Sequence, residues 1–188
     1  VARDKMGDTF IIALIVLALF WSCQLRQRVD ERDYLIRTIA FEASDETEVG
    51  KVAVAYVILN RKKSGRWGDN IKPVVTHPGQ FEPWMTRRRE MENLSRDDPR
   101  YQSAARIADT VLSGQMPDPT AGATHFLNPI IVRQRRGGSL PSWARGEGQP
   151  IGRHTFYYPN EANAASGRFD TSSQPLTRAD CGKAGMLW

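Results

Sequence analysis

A chain of 188 residues with 40% hydrophobic content can bury one ordinary core and has no room for two full domains. Its formal charge of +5 and pI near 9.5 favour an anionic partner: nucleic acid, a membrane surface or bacterial wall polymer. The basic residues fall in separate runs (Arg61 to Lys63, Arg87 to Arg89, Arg133 to Arg136) with no nucleic-acid motif beside them. Each run reads as solvated surface, and nucleic acid is not the expected partner.

The first element is "TFIIALIVLALFWSC", residues 9–23, which carries no charge and runs into the polar "QLRQRVDERD". A helix of that length spans about 22 Å, less than the roughly 30 Å hydrocarbon layer, so it resembles the apolar core of a secretion signal or a weak signal anchor. It lacks a small-x-small cleavage site. The expectation is therefore a retained anchor in the inner membrane, with the rest of the chain outside the cytoplasm, in the periplasm or wall space. Lys and Arg flank both sides, so charge does not set the orientation. Cys23 and Cys181 are too few for a disulfide framework and have no metal-ligand spacing. They read as one bridge or as two idle thiols.

This divides the chain into an anchor segment over 1–30, a folded part over 31–160 and a tail over 161–188 that is rich in Asn, Ser, Ala and Gly. The folded part opens with a helix over roughly 31–43, in which Leu35, Ile39 and Glu42 stand at i, i+4 and i+7. A carboxylate thus shares the apolar stripe that normally faces the core.

In "SDETEVG", Asp45 is placed to cap a second helix and Glu48, three residues on, to reach back; Glu46 reads as a further first-turn acid. Each of these acids has a structural explanation, and Glu42 has none. The second helix, "VGKVAVAYVILNRKKSG", is apolar on nearly every side and should be central and buried, with Gly65 as terminator. Asn60 falls on its inward stripe. A third helix is expected over "DDPRYQSAARIADTVLSG", with Pro99 in its first turn, Gly114 at its end and a stripe of Tyr101, Ala104, Ala105, Ala108, Val111 and Leu112.

The loops "HPGQFEPWM" and "SLPSWARGEGQPIGRHTFYYP" mix Trp, Phe and Tyr with Gln, His and Arg. Flat aromatic faces beside hydrogen-bonding groups suit polymeric carbohydrate, and equally a protein interface. "ATHFLNPIIV" and "HTFYY" read as short strands that pair in a small sheet.

Five separated motifs, "FEASDETEVGKVAVAYVILNR", "PGQFEPW", "DPTAGATHFLNP", "PSWA" and "IGRHTFYYP", occur in the order found in the SleB/CwlJ-type cell-wall hydrolase family, which the chain resembles over roughly residues 34–158. The resemblance implies an α+β, mainly helical, lysozyme-like (lytic transglycosylase-like) domain with a small sheet, acting on peptidoglycan glycan strands. The family's catalytic glutamate matches Glu42. Its Ala-Thr-His and Gly-x-His-x-Phe motifs match Thr124, His125, His154 and Phe156. The segment "IIVRQRRGGS" departs from the family pattern as a basic insertion.

Burial beside apolar residues should raise the pKa of Glu42 and let it act as a general acid on the bond between N-acetylmuramic acid and N-acetylglucosamine. Hydrolysis ordinarily needs a second carboxylate, so a single one favours the lytic transglycosylase route, with no cofactor and no metal. Water positioned by Asp45 or Glu48, as in a muramidase, stays open. Gln80 and Phe81 line the cleft or fix its wall. Trp84 and Trp143 are sugar platforms or buried tryptophans, and Thr124, His125 and His154 contact substrate or brace the loops. Asn60 and Tyr157 support the site from behind.

Two further classes remain. A zinc amidase or peptidase would use His77, His125 and His154, although no close-spaced pair marks them. A non-catalytic wall-binding protein would need only the aromatic loops. The short anchor joined to a muralytic domain, expected as a monomer, resembles phage endolysins of the signal-anchor kind.

Overall fold

A computed structural model of the chain describes residues 5–144 and 147–158. The tail over 161–188, with Cys181, lies outside the described residues, and Cys23 is a free, exposed thiol.

The segment expected as an anchor and the first helix of the folded part are one element. Helix α1 runs without interruption over Lys5–Glu42, 38 residues or about 57 Å. The sequence led us to expect two pieces. The connecting "QLRQRVDERD" contains neither Gly nor Pro and is built largely of good helix formers, so nothing ends the helix between them. Ile11, Leu14, Leu17, Phe20 and Trp21 are all more than half exposed, and the helix is long and apolar enough to cross a membrane.

Past residue 30 the helix changes role. Leu35, Ile36 and Ile39 are fully buried against helices α2 (Glu48–Ser64), α3 (Ile71–Thr76) and α6 (Pro99–Leu112). Each such side chain contributes about 1.5–3 kcal/mol. Helix α2 is central, as its sequence implied: Val52, Ala53, Val54, Ala55, Val57 and Ile58 are fully buried, and Gly65 ends it in the left-handed region at φ 68°. Its cap is a correction. Thr47, not Asp45, is the N-cap, with its hydroxyl accepting from Gly50 N at 3.3 Å. Glu48 is left as a first-turn acid, and Asp45 is exposed.

The loop between α2 and α6 contains three short helices that the sequence did not announce: α3, α4 (Glu82–Thr86) and α5 (Arg88–Glu92). They are too short to show a period, and packing holds them. Arg37 of α1 binds the carbonyls of Met91, Glu92 and Leu94, which closes the end of α5 onto α1. Helix α6 has Pro99 in its first turn, as expected, and Asp98 caps it. Its inward stripe includes Ile107, while Leu112 is 46% exposed and faces solvent.

Strands β1 (His125–Leu127), β2 (Gln149–Ile151) and β3 (His154–Tyr157) form an antiparallel sheet in the order β1-β3-β2. The expected pairing of the two segments is present, with Phe126 opposite Phe156. The apolar "PIIV", however, is not strand. Asn128 caps and Pro129 opens helix α7 (Pro129–Arg135), which carries the basic insertion. A smaller cluster of Ala43, Val54, Val57, Ala123 and Phe156 packs α2 against one face of the sheet.

Candidate active site

Glu42 is the last residue of α1. It is half-buried, and Ala43 beside it is packed under the sheet. Burial, and after it the charge of Glu82 on α4, raise its pKa to about 8 against the opposing charge of Arg61 on α2. At neutral pH this carboxyl holds its proton, which is the state a general acid requires. Glu82 is thus a second carboxylate within electrostatic reach, and the sequence did not single it out. Its chain position, one residue before Pro83 in a loop, gave no periodicity to read. The Asp45 and Glu48 alternatives carry less weight: neither contributes to the titration of Glu42.

Arg61 is the other residue that sequence reasoning missed, because it stood in the basic last turn of a helix where cations are commonplace. It is only 4% exposed. Its Nε donates to Thr124 O at 2.6 Å, and its guanidinium lies 5.2 Å from the Trp67 ring and 5.0 Å from the Phe81 ring. Burial pulls its pKa down to about 10, with Glu42 opposing.

The loop "DPTAGATH" is tied by its own hydrogen bonds. Asp118 accepts from Thr120 N, Thr120 Oγ1 and Gly122 N at 2.8, 2.7 and 2.9 Å. Asn60 donates to Asp118 Oδ2 at 2.9 Å and to Ala123 O at 3.0 Å, so it holds this loop from behind. The loop delivers Thr124 and His125 to the sheet edge. Thr124 is buried, with its Oγ1 2.9 Å from His125 Nδ1. His125 sits between Trp67 and Trp143, at ring distances of 5.7 and 5.1 Å, and burial with Arg61 and Arg66 lowers its pKa to about 4. Neutral at physiological pH, it offers hydrogen bonds without charge. Trp143 is half-buried and meets Tyr157 edge-on at 5.5 Å, so Tyr157, itself buried, backs this wall.

The remaining candidates separate. Phe81 is 1% exposed and Trp84 5% exposed, both inside the main core. Trp84 donates its Nε1 to Thr38 Oγ1 at 2.8 Å and packs on Tyr34, so it is a core tryptophan and not a sugar platform. Phe81 fixes the wall from within and is not open to a ligand. Gln80 is half-buried at the turn before it.

The two histidines of the motifs do not converge. His125 shares a sheet face with its partner Tyr157, whereas His154 shares the other face with Phe156 and Phe126. The His154 side chain is 13% exposed, with Nδ1 3.0 Å from Glu46 Oε1 but outside hydrogen-bonding geometry. Burial lowers its pKa while Glu46 opposes. Glu46 is not a first-turn acid: its carboxylate also accepts from Arg153 N at 3.1 Å and pins the β2–β3 turn to the start of α2. His77 is exposed in a separate loop, and among the described residues no three His, Cys, Asp or Glu side chains gather as a metal site.

Comparison with known proteins bears on the family and the fold. The profile of the family described as Cell Wall Hydrolase matches residues 45–157, beginning three residues after Glu42. A spore cortex-lytic enzyme of Halalkalibacterium halodurans is 36% identical over 115 residues, 61% of this chain and 31% of that protein, so the chain spans about a third of that relative's length. Two solved structures share the fold. The catalytic domain of the germination-specific lytic transglycosylase SleB from Bacillus anthracis superposes with a TM-score of 0.52 at 24% identity, covering 68% of this chain and 93% of that one. The catalytic domain of the Bacillus cereus SleB protein gives 0.50 at 22%, covering 68% and 88%. With more than half its length matched by the family profile, the chain belongs to the cell wall hydrolase family.

Proposed function

We propose that this protein cleaves the glycosidic bond between N-acetylmuramic acid and N-acetylglucosamine in peptidoglycan glycan strands, as a lytic transglycosylase with Glu42 as its acid and base. The observation that carries the reading is the half-buried carboxyl at the end of α1, whose pKa burial and the charge of Glu82 raise to about 8. Protonated Glu42 donates to the glycosidic oxygen as the bond to the muramic C1 breaks. The carboxylate then takes the proton of the muramic C6 hydroxyl, whose oxygen closes onto C1 and leaves a 1,6-anhydro end. The nucleophile in these steps is the substrate's own C6 hydroxyl, in the place water takes in hydrolysis.

A second reading, hydrolysis as in a muramidase, is favoured by one observation, the charge of Glu82 acting on Glu42. Glu82 would then position the attacking water. Mass spectrometry of muropeptides released from purified peptidoglycan by the full chain in detergent decides between them. Anhydromuramic products lost in Glu42→Gln support the transglycosylase, reducing muramic ends lost in Glu82→Gln support hydrolysis, and cut stem peptides reject both.

Within this reading residues 31–160 form the catalytic unit and residues 1–30 an inner-membrane anchor, with the apolar stretch 9–23 in the bilayer and the monomeric enzyme on the wall side. The continuity of α1 and the exposure of its apolar residues support the anchor. That layout suits a signal-anchor endolysin.

A further inference from the structure

The geometry points to Arg61 as the positioning residue that receives the charge of Glu42 once its proton has been given away. The inference rests on the assignment of Glu42 as the acid.

Three observations on geometry carry it. Arg61 is a buried cation with no carboxylate within ion-pair distance among the described residues, an arrangement that costs several kcal/mol unless something offsets it. Its Nε is satisfied by Thr124 O, but its Nη1 is buried with no hydrogen-bond partner among the described residues. Its guanidinium carbon lies 5.2 Å from the Trp67 ring and 5.0 Å from the Phe81 ring, two apolar faces that offer it no carboxylate. A buried, unpaired donor whose charge reaches an acid is ready for a negative charge that is absent in the resting state.

Electrostatics agree with the placement. The charged groups that act on Glu42 are Glu82 from α4, which opposes its ionisation, and Arg61 from α2, which favours it. Arg61 is felt in turn by Glu42, and it acts on His125 from β1. With His125 neutral, Arg61 is the one cation among the described residues that acts on Glu42. When Glu42 protonates the glycosidic oxygen, its new carboxylate is stabilised by the charge of Arg61. That makes Glu42 a stronger acid in the bond-breaking step and holds it in place to take the C6 hydroxyl proton.

The alternative is that Arg61 only braces the Thr124 loop. The test compares Arg61→Gln, Arg61→Lys and Glu42→Gln in the full chain in detergent, reading muropeptide release against pH and the 13C carboxyl titration of Glu42, with thermal unfolding as control. Arg61→Gln is expected to move the Glu42 titration and the alkaline limb of the rate upward by about one unit or more, and to lower the rate at neutral pH about tenfold or more. Arg61→Lys, which keeps the charge, should restore the titration towards wild type. Loss of thermal stability in both variants with the titration unmoved would overturn the inference and leave Arg61 as a brace. Should Arg61→Gln not fold, Arg61→Met carries the same test: a Glu42 titration and an alkaline limb unmoved on loss of the charge would overturn the inference equally. Full cleavage by Glu42→Gln would instead reject the parent assignment of the acid.

Discussion

The Nδ1 atom of His154 lies 3.0 Å from Oε1 of Glu46, across the junction between the start of α2 and the β2–β3 turn. Glu46 also takes the backbone N–H of Arg153, so one carboxylate with a side chain only 4% exposed ties the turn to the start of α2. Replacing it with Ala removes that tie and the carboxylate next to His154. We expect Glu46→Ala to lower stability by about 1–3 kcal/mol, read by chemical unfolding. Stability unchanged within error would show that the turn is held by the sheet alone.

Gly152 gives an independent check on the same junction. It has φ +61°, and a Cβ there would stand 2.0 Å from Glu46 Oε2. Gly152→Ala should therefore cost more than the roughly 1 kcal/mol of the left-handed backbone alone. In the Glu46→Ala background the excess should disappear, because the clash goes with the carboxylate. Strictly additive losses in this double-mutant cycle would contradict the contact.

Stability should depend on pH in a direction set by Glu42. Its pKa rises from 4.5 in the unfolded chain to about 8 in the fold, so its favourable contribution is complete below 4.5 and is lost as pH rises through 8. Glu42→Gln removes this dependence. It should be more stable than the parent chain at pH 8.5, by about 2 kcal/mol after allowance for partial exposure, and nearly equal at pH 4. Thermal melts at the two values measure the difference, and equal melting points at both would mean that the carboxyl is solvated.

His125 has the opposite sign. Its pKa falls from 6.5 to about 4, so its contribution is complete above 6.5 and is lost as pH drops through 4. His125→Asn should therefore flatten the acid side of the stability profile, seen as a smaller fall in melting temperature between pH 7 and pH 4. An unchanged acid limb would assign the loss to other groups.

Two tryptophans should separate binding from folding. Trp84→Ala empties a core position and should destabilise the protein by about 3–5 kcal/mol. Trp143→Ala, at a half-buried position against His125 and Tyr157, should leave the fold largely intact and weaken binding to insoluble peptidoglycan by about tenfold. Sedimentation with purified wall and thermal melts on the same samples give both readings. If the effects come out reversed, the binding wall lies elsewhere.

What the linear chain determined was whatever depends on local periodicity and local chemistry. The apolar stripe through Leu35 and Ile39 with a carboxylate at Glu42, the all-round apolar α2 ending at Gly65, and the Pro99 start of α6 were legible because helix period and terminator residues act within a few positions. The mainly helical class with a small sheet followed from the same signals and from the five ordered motifs.

Only tertiary structure decided the rest, because it depends on residues far apart in sequence. Arg61 and Glu82 come within electrostatic reach of Glu42 through packing of α2 and α4 on α1, and neither carries a local mark of it. The two histidines were grouped by motif, yet strand register sends them to opposite faces of one sheet. Trp84 went into the core, and Glu46 left the helix start to clasp a turn over 100 residues away, because burial and long-range hydrogen bonds outweighed the local preferences from which the sequence was read.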